Sequence, residues 1–318
     1  MPAYDEAMRV LFAGTPTAAV PTLQALHNAG HEIVAVLTQP DAPGKRGKQL
    51  VASAVKQAAL ELDLPVLTPE SASAPDVVEA IRDLNADVAA VVAYGQILRP
   101  ALLSAVRTHW INLHFSLLPA WRGAAPVQRA LMAGDEYTGA STFVIEEGLD
   151  TGPVIGTLTE RIRSTDTTGD LLERLAIAGA PLMVASLEAV HAGDAVPVPQ
   201  GDEGVSYAPK LTRADALVRW DWPALAVDRQ VRACTPAPGA WTTLPDGSPA
   251  RLGPVKLRDA GTSHVPGQVN VVDNEVRVGT GSGSVALTWI QPAGRTRVDA
   301  MAWWRGARLT EGAQLGEA

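Results

Sequence analysis

Apolar positions in the first half of the chain alternate between two rhythms. Short, nearly continuous apolar runs occur at RVLFA (9–13), HEIVAVLT (31–38), DVAAVVAY (87–94) and HWINLH (109–114). Between them lie TAAVPTLQALHNA (17–29), VASAVKQAALELD (51–63) and PDVVEAIRDLN (75–85), whose apolar residues recur at helical spacing. Gly30 and Gly95 close their segments, and Pro75–Asp76 open the third helix. Val/Ile/Leu runs separated by helices predict a mostly parallel sheet covered on both faces, a Rossmann-like α/β architecture. In such sheets ligands gather at the C-terminal ends of the strands. Loops 14–17, 95–99 and 115–126 therefore share one rim.

The pattern then shifts. GASTFVIE (139–146) and GPVIGTLTERI (152–162) read as two strands around a short turn, and 166–193 as one long helix. Residues 194–209 are rich in Pro, Gly and polar side chains, as a linker would be. Beyond a helix near 223–233 come ARLGPVKLRDA, GQVNVV, EVRVGTG and SVALTWIQP, short alternating runs between turn signals. They predict a small, OB-like β-barrel, closed by a helix over 298–309. The expected organisation is a catalytic α/β domain at 1–193, a linker at 194–209 and a C-terminal β-barrel domain at 210–318.

Charge changes the picture of that second part. The whole chain of 318 residues carries −8, with 47% hydrophobic residues. Residues 1–204 hold 13 Lys+Arg against 24 Asp+Glu, a balance of −11; residues 205–318 hold 13 against 10, a balance of +3. Such asymmetry fits a polyanion meeting the C-terminal part, and it also fits ordinary scatter. The one cysteine, Cys234, excludes an internal disulfide framework and a thiolate-rich zinc site. No basic, apolar leader opens the chain and no uninterrupted apolar run reaches membrane-span length, so a cytoplasmic protein without a membrane segment is expected.

The chemistry candidates lie on the rim. Asn112 and His114 stand two apart at the end of a strand and so share a face. An imidazole moves protons near neutral pH, and a carboxamide N–H stabilises a developing oxyanion without carrying charge. Asp150, in the tight GLDTG turn (148–152), would orient a nearby imidazole and favour its charged form. Lys45, Arg46 and Lys48 put positive charge into a Gly/Pro-bounded loop of an acidic domain, which suits phosphates. Each has a plainer reading: a core histidine, a turn aspartate, a solvated loop. Spacing alone does not bring Asp150 to His114. No GxGxxG, GxxxxGK[ST] or GxSxG occurs, which disfavours a dinucleotide, a P-loop nucleotide and a serine nucleophile. His27 and His31 are split by Gly30, and no metal site is expected. The residues describe acyl-type transfer through a tetrahedral intermediate without a covalent nucleophile.

VLFAGTP, TQPD…GKRGK, VVAYG, INLHFSLLPAWRGAAPVQ and GLDTG, followed by YAPK, VRW, RACTPAPGAW and IQPAGR, together resemble the methionyl-tRNA formyltransferase family over nearly the whole chain. Asn-x-His with Asp is shared by folate-dependent formyltransferases at large; SLLPxxRGAAPxQ, the basic loop and the C-terminal block mark the tRNA branch. The resemblance implies a bacterial, monomeric enzyme of translation initiation. Its donor would be 10-formyltetrahydrofolate and its acceptor the α-amine of methionyl initiator tRNA. Asn112, His114 and Asp150 would be catalytic: Asn112 and the imidazolium of His114 stabilise the oxyanion, and Asp150 holds His114 and helps relay protons. Tyr94, Gly95, Ser116, Leu117, Leu118 and Pro119 would bind the folate. Lys45, Arg46 and Lys48 would meet the tRNA acceptor end, and the C-terminal barrel its acceptor arm. The family often carries Gly where this chain has Phe115, and an aromatic residue near Thr17–Ala19 where this chain has none.

Three other readings compete. A formyltransferase of a sugar-nucleotide amine or a purine precursor would keep the trio without needing the basic loop. An RNA-binding module without catalysis would not need the trio, and the C-terminal aromatics, mostly Trp near segment ends, do not form an evident stacking platform. An oxidoreductase lacks its glycine fingerprint.

Overall fold

The computed structural model describes residues 7–44, 49–258 and 265–316. The chain forms two compact units. One holds the chain up to Gly123 together with Tyr137–Arg161 and Leu172–Tyr207; the other holds Ala124–Glu136, Ile162–Leu171 and the chain from Ala208.

The first unit is built on a seven-stranded sheet. Its order runs Val66–Leu67, Glu32–Leu37, Arg9–Gly14, Val88–Val92, Trp110–His114, Tyr137–Val144, Val154–Arg161. The first five are mutually parallel, and the last two turn antiparallel at one edge. Every residue of Val88–Val92 is buried, as a strand covered on both faces requires. Burying each of its valine side chains contributes about 1.5–3 kcal/mol. The expected helices appear as Val20–Asn28, Ala54–Glu61 and Pro75–Asp83. Ser53 caps the second by accepting from the Lys56 backbone N–H at 3.0 Å. Gly30 takes φ +83°, the left-handed conformation that ends the first.

The long helix Thr168–Ala192 is, among the described residues, the one whose length and apolar composition would suit a membrane crossing. Within this unit Leu175, Ala176, Ala180, Met183 and Leu187 are buried in the protein. Gly179 lets it approach the Trp110–His114 strand: a Cβ there would come within 2.8 Å of a Leu113 methyl. Residues 194–209, expected as a linker, are in part packed on this unit. Val198 and Val154 exchange two backbone hydrogen bonds of 2.8 Å, and Arg122 forms an isolated parallel bridge with Tyr207.

The second unit is β-rich, with one four-stranded and one five-stranded sheet. Its core gathers Val227, Val231, Cys234, Val269, Val276, Val278, Val285 and Ile290. The helix Pro126–Ala133, to which the sequence reading assigned no element, belongs here and packs against Ala224–Ala233. Ala300–Ala307 is the expected closing helix, capped by Asp299.

Candidate active site

The rim loops meet as strand order predicts. Thr15, just after the first strand, donates its hydroxyl to the Tyr94 carbonyl at 2.7 Å, and Gln39 donates to the same oxygen at 3.2 Å. The Tyr94 ring lies inside the core at 2% exposure. Among the described residues its hydroxyl has no hydrogen-bond partner, and burial pushes the phenol up to about 12. Only the backbone of Tyr94 and Gly95 therefore faces the rim. Gly95 sits at φ +89°, a conformation that favours glycine.

Trp110–His114 lies between Val88–Val92 and Tyr137–Val144, with Asn112 paired to Val91 and Phe143, and His114 to Ser141. The alternation puts Asn112 and His114 on one face. Asn112 is half-buried, and among the described residues its carboxamide has no hydrogen-bond partner. His114 is 6% exposed and has a polar neighbour at each ring nitrogen. Nε2 donates to the Trp121 carbonyl at 2.9 Å, and Nδ1 lies 3.7 Å from Asp150 Oδ2. Phe143 presents a ring at 81° to the imidazole, centroids 6.4 Å apart.

Burial pushes the His114 imidazole below its ordinary range; the Asp150 carboxylate and the Trp121 carbonyl oppose that shift without cancelling it. The resting ring is therefore neutral at neutral pH. With Nε2–H committed to a carbonyl, Nδ1 is the nitrogen that gains and loses a proton. Asp150 stands in the turn between the two antiparallel strands at φ +52°, and its Oδ2 accepts the Gly123 N–H at 2.7 Å.

The loop after His114 separates shape from surface. Ser116 is fully buried; its hydroxyl donates to the Ala120 carbonyl at 2.6 Å, and its own carbonyl accepts the Ser141 hydroxyl at 2.8 Å. It shapes the loop. Leu117, Leu118 and Pro119 stay half-buried and offer the apolar surface. Phe115 is buried, and nothing in the structure explains why it stands where the family often carries glycine. Lys45, Arg46 and Lys48 lie outside the described residues; on either side of them Ala42–Pro43 pairs antiparallel with Leu50–Val51.

The sequence reading missed two groups. One is Arg122, Gln200 and Ser206: Ser206 takes the Trp121 N–H, Gln200 donates to the Asp150 carbonyl, and Arg122 donates to Gln200. The other lies on the second unit's four-stranded sheet, where Trp241, Arg251 and Gln291 are direct cross-strand partners in one row. The Arg213 guanidinium stacks over Trp241 at 4.7 Å and Arg297 over Trp289 at 4.4 Å. Arg213, Trp241, Arg251 and Gln291 help line a cavity of about 410 Å³. Trp241 and Trp289 thus do form an aromatic and cationic face, which the sequence reading did not see, while Trp220 and Trp303 are buried in the core; register, which spacing does not reveal, gathers the first two.

Residues 8–187 match the formyl transferase family, and residues 210–308 match its C-terminal domain. The methionyl-tRNA formyltransferase of Streptomyces coelicolor is 54% identical over 98% of this chain and 100% of its own length. That of Salinispora tropica is 54% identical over 97% and 100%. The chain belongs to the methionyl-tRNA formyltransferase family. Within the family's wider fold, an N-formyltransferase from Helicobacter canadensis, solved with folinic acid and dTDP-3-aminofucose, superposes with a TM-score of 0.66 at 15% identity over 90% of this chain and 99% of that one. HypX from Aquifex aeolicus, solved with tetrahydrofolic acid, gives 0.66 at 19% over 94% of this chain, which spans about half of HypX (47%). These two likenesses bear on fold alone.

Proposed function

We propose that this member of the family transfers the formyl group of 10-formyltetrahydrofolate to the α-amine of methionyl initiator tRNA, acting in the cytoplasm as a monomer without a metal. The observation that carries the reading is the His114 ring, buried and neutral, with Nδ1 facing Asp150 and, on the same strand face, an Asn112 carboxamide that has no hydrogen-bond partner among the described residues. The residues fit a folate: Leu117, Leu118 and Pro119, half-buried directly after the catalytic strand, make an apolar bed for a flat ring system.

The folate brings a formyl carbon attached to a nitrogen able to leave. Nδ1 of His114 takes the proton of the attacking methionyl amine as the new carbon–nitrogen bond forms. The imidazolium so formed lies beside Asp150, which stabilises it. Asn112 donates its carboxamide N–H to the oxygen that becomes negative, and the imidazolium supports the same charge. As the bond to the folate nitrogen breaks, His114 returns the proton to that nitrogen and is neutral again.

Chemistry is assigned to the first unit and tRNA docking to the second. Arg213, Arg251, Arg295 and Arg297 are exposed, and among the described residues none has a carboxylate partner. Cations without internal partners beside tryptophan faces suit phosphate and base contact. Lys45, Arg46 and Lys48 are proposed to bind phosphates at the acceptor end.

The test offers the protein radiolabelled 10-formyltetrahydrofolate with methionyl initiator tRNA, methionyl elongator tRNA and a dTDP-aminosugar. Label in N-formylmethionyl initiator tRNA is the expected result. Label in the aminosugar alone would overturn the reading.

A further inference from the structure

Three successive backbone N–H groups after the catalytic strand are claimed by different parts of the first unit. Trp121 N–H donates to the Ser206 hydroxyl at 2.9 Å, Arg122 N–H to the Ser206 carbonyl at 2.9 Å, and Gly123 N–H to Asp150 Oδ2 at 2.7 Å. The carbonyl of the same Trp121 is the one that takes Nε2–H of His114. Trp121 sits at φ +60° and Asp150 at φ +52°, left-handed conformations that non-glycine residues keep only where neighbours over-determine them.

Gln200 ties the same two loops through side chains. Its Oε1 accepts from Arg122 Nε at 3.1 Å and Nη2 at 2.7 Å; its Nε2 donates to the carbonyls of Asp150 and Gly152, both at 2.8 Å. The partners fix the orientation of the amide, since a guanidinium only donates and a carbonyl only accepts. Arg122 is 8% exposed, and among the described residues it has no carboxylate partner, so its charge is answered by this neutral oxygen. The Val198–Val154 backbone pair anchors the segment that carries Gln200.

We propose that Gln200 and Ser206 are positioning residues for formyl transfer, holding the Trp121 carbonyl and the Asp150 turn at the two nitrogens of His114. The proposal rests on the reading of His114 and Asp150 given above. Neither residue touches the imidazole. Ser206 sets the acceptor at Nε2; Gln200, through Arg122 on one side and the Asp150–Gly152 turn on the other, sets the carboxylate opposite Nδ1. Among the described residues Asp150 is the one charged group acting on the ring; Phe143 offers an uncharged ring from the neighbouring strand, and Arg122 is turned to Gln200.

The test reads His114 directly and then reads turnover. The His114 ring is titrated by NMR in the full-length protein and in Asp150→Asn, Gln200→Ala, Ser206→Ala and Ser206→Thr. Loosening the Asp150 carboxylate in Gln200→Ala, or the Trp121 carbonyl in Ser206→Ala, removes part of what favours the protonated ring, so both midpoints move down, in the direction of Asp150→Asn. Their kcat for formyl transfer falls about ten- to a hundredfold, as small misplacements of reacting groups do, while KM for methionyl-tRNA stays within about twofold. Ser206→Thr keeps the hydroxyl and restores both readings. Ser206→Ala deletes a single hydrogen bond and leaves the Arg122 bond to the backbone carbonyl, so it keeps the test usable even if Gln200→Ala unfolds. Midpoints unchanged in Gln200→Ala and Ser206→Ala, with Asp150→Asn shifted, overturn the positioning role and leave the formyl-transfer reading intact. An unshifted midpoint in Asp150→Asn removes the His114–Asp150 pairing itself. Shifted midpoints in a protein that does not formylate methionyl-tRNA keep the positioning and discard the proposed reaction.

Discussion

At the end of the Trp110–His114 strand an imidazole and a carboxylate are set 3.7 Å apart with side-chain exposures of 6% and 18%. The groups that hold the pair are themselves tied: Trp121 to Ser206, and the Asp150 turn to Gln200 and the Gly123 N–H. On the outer face of the second unit's four-stranded sheet, arginines lie exposed on tryptophan rings without carboxylate partners among the described residues. The first arrangement uses its hydrogen bonds internally and fixes one geometry; the second leaves its donors for something outside. Proton transfer needs a tuned group held still, whereas docking a polyanion needs uncommitted charge. The two regions should therefore fail in different ways when altered.

The largest expected effect is at His114. His114→Ala should lower kcat by about 10²–10⁴-fold with folate binding unchanged, read by rapid-quench transfer and by fluorescence titration of the folate. Near-normal turnover would remove His114 from the chemistry. Asn112→Ala comes next, with a loss of about 10²–10³ in kcat, the cost of one oxyanion donor.

Asp150→Asn should act through pH. The resting His114 must be neutral to take a proton, so kcat/KM falls as pH drops through its pKa, which burial sets below the ordinary histidine value. Asp150 favours the charged ring; without it the pKa falls further, and the acid limb of the pH–rate profile moves to lower pH. A limb that stays in place, or moves up, breaks the electrostatic link.

The mildest effect should come from the sheet face. Arg213→Ala with Arg251→Ala should raise KM for tRNA and flatten its salt dependence, by roughly one unit of log–log slope for each phosphate no longer neutralised. An unchanged slope would blunt the contrast between the regions.

The α/β unit was legible because its signals are local. Buried strands announce themselves as unbroken Val/Ala/Ile runs, and Gly30 and Pro75 mark helix ends. Asn112 and His114 were legible for the same reason, since spacing two on a strand fixes a shared face. The Pro126–Ala133 helix also left local marks, namely Pro126 at its start, Val127, Ala130 and Leu131 on one face, and Gly134 at its end. They were hidden by the loop-like residues before it. Asp150 could be nominated but not placed, because its approach to His114 depends on a hairpin turn closing over another strand. Gln200 and Ser206 were not legible at all. They sit in Pro/Gly-rich text that reads as linker, and hydrogen bonds spanning 48 to 85 residues leave no mark in composition. The tryptophan–arginine face depends on register across three strands, which spacing within any one of them does not carry.

The contrast between the two regions can be settled with one measurement: the initial rate of formyl transfer from 10-formyltetrahydrofolate as a function of methionyl initiator tRNA concentration, in the wild type, in His114→Ala and in Arg213→Ala/Arg251→Ala. The account predicts that the arginine variant climbs to the wild-type plateau at higher tRNA concentration, while the histidine variant saturates at the wild-type concentration on a plateau lower by about 10²–10⁴-fold. A histidine variant that reaches the wild-type plateau, or an arginine variant whose plateau falls with its KM unchanged, would contradict it.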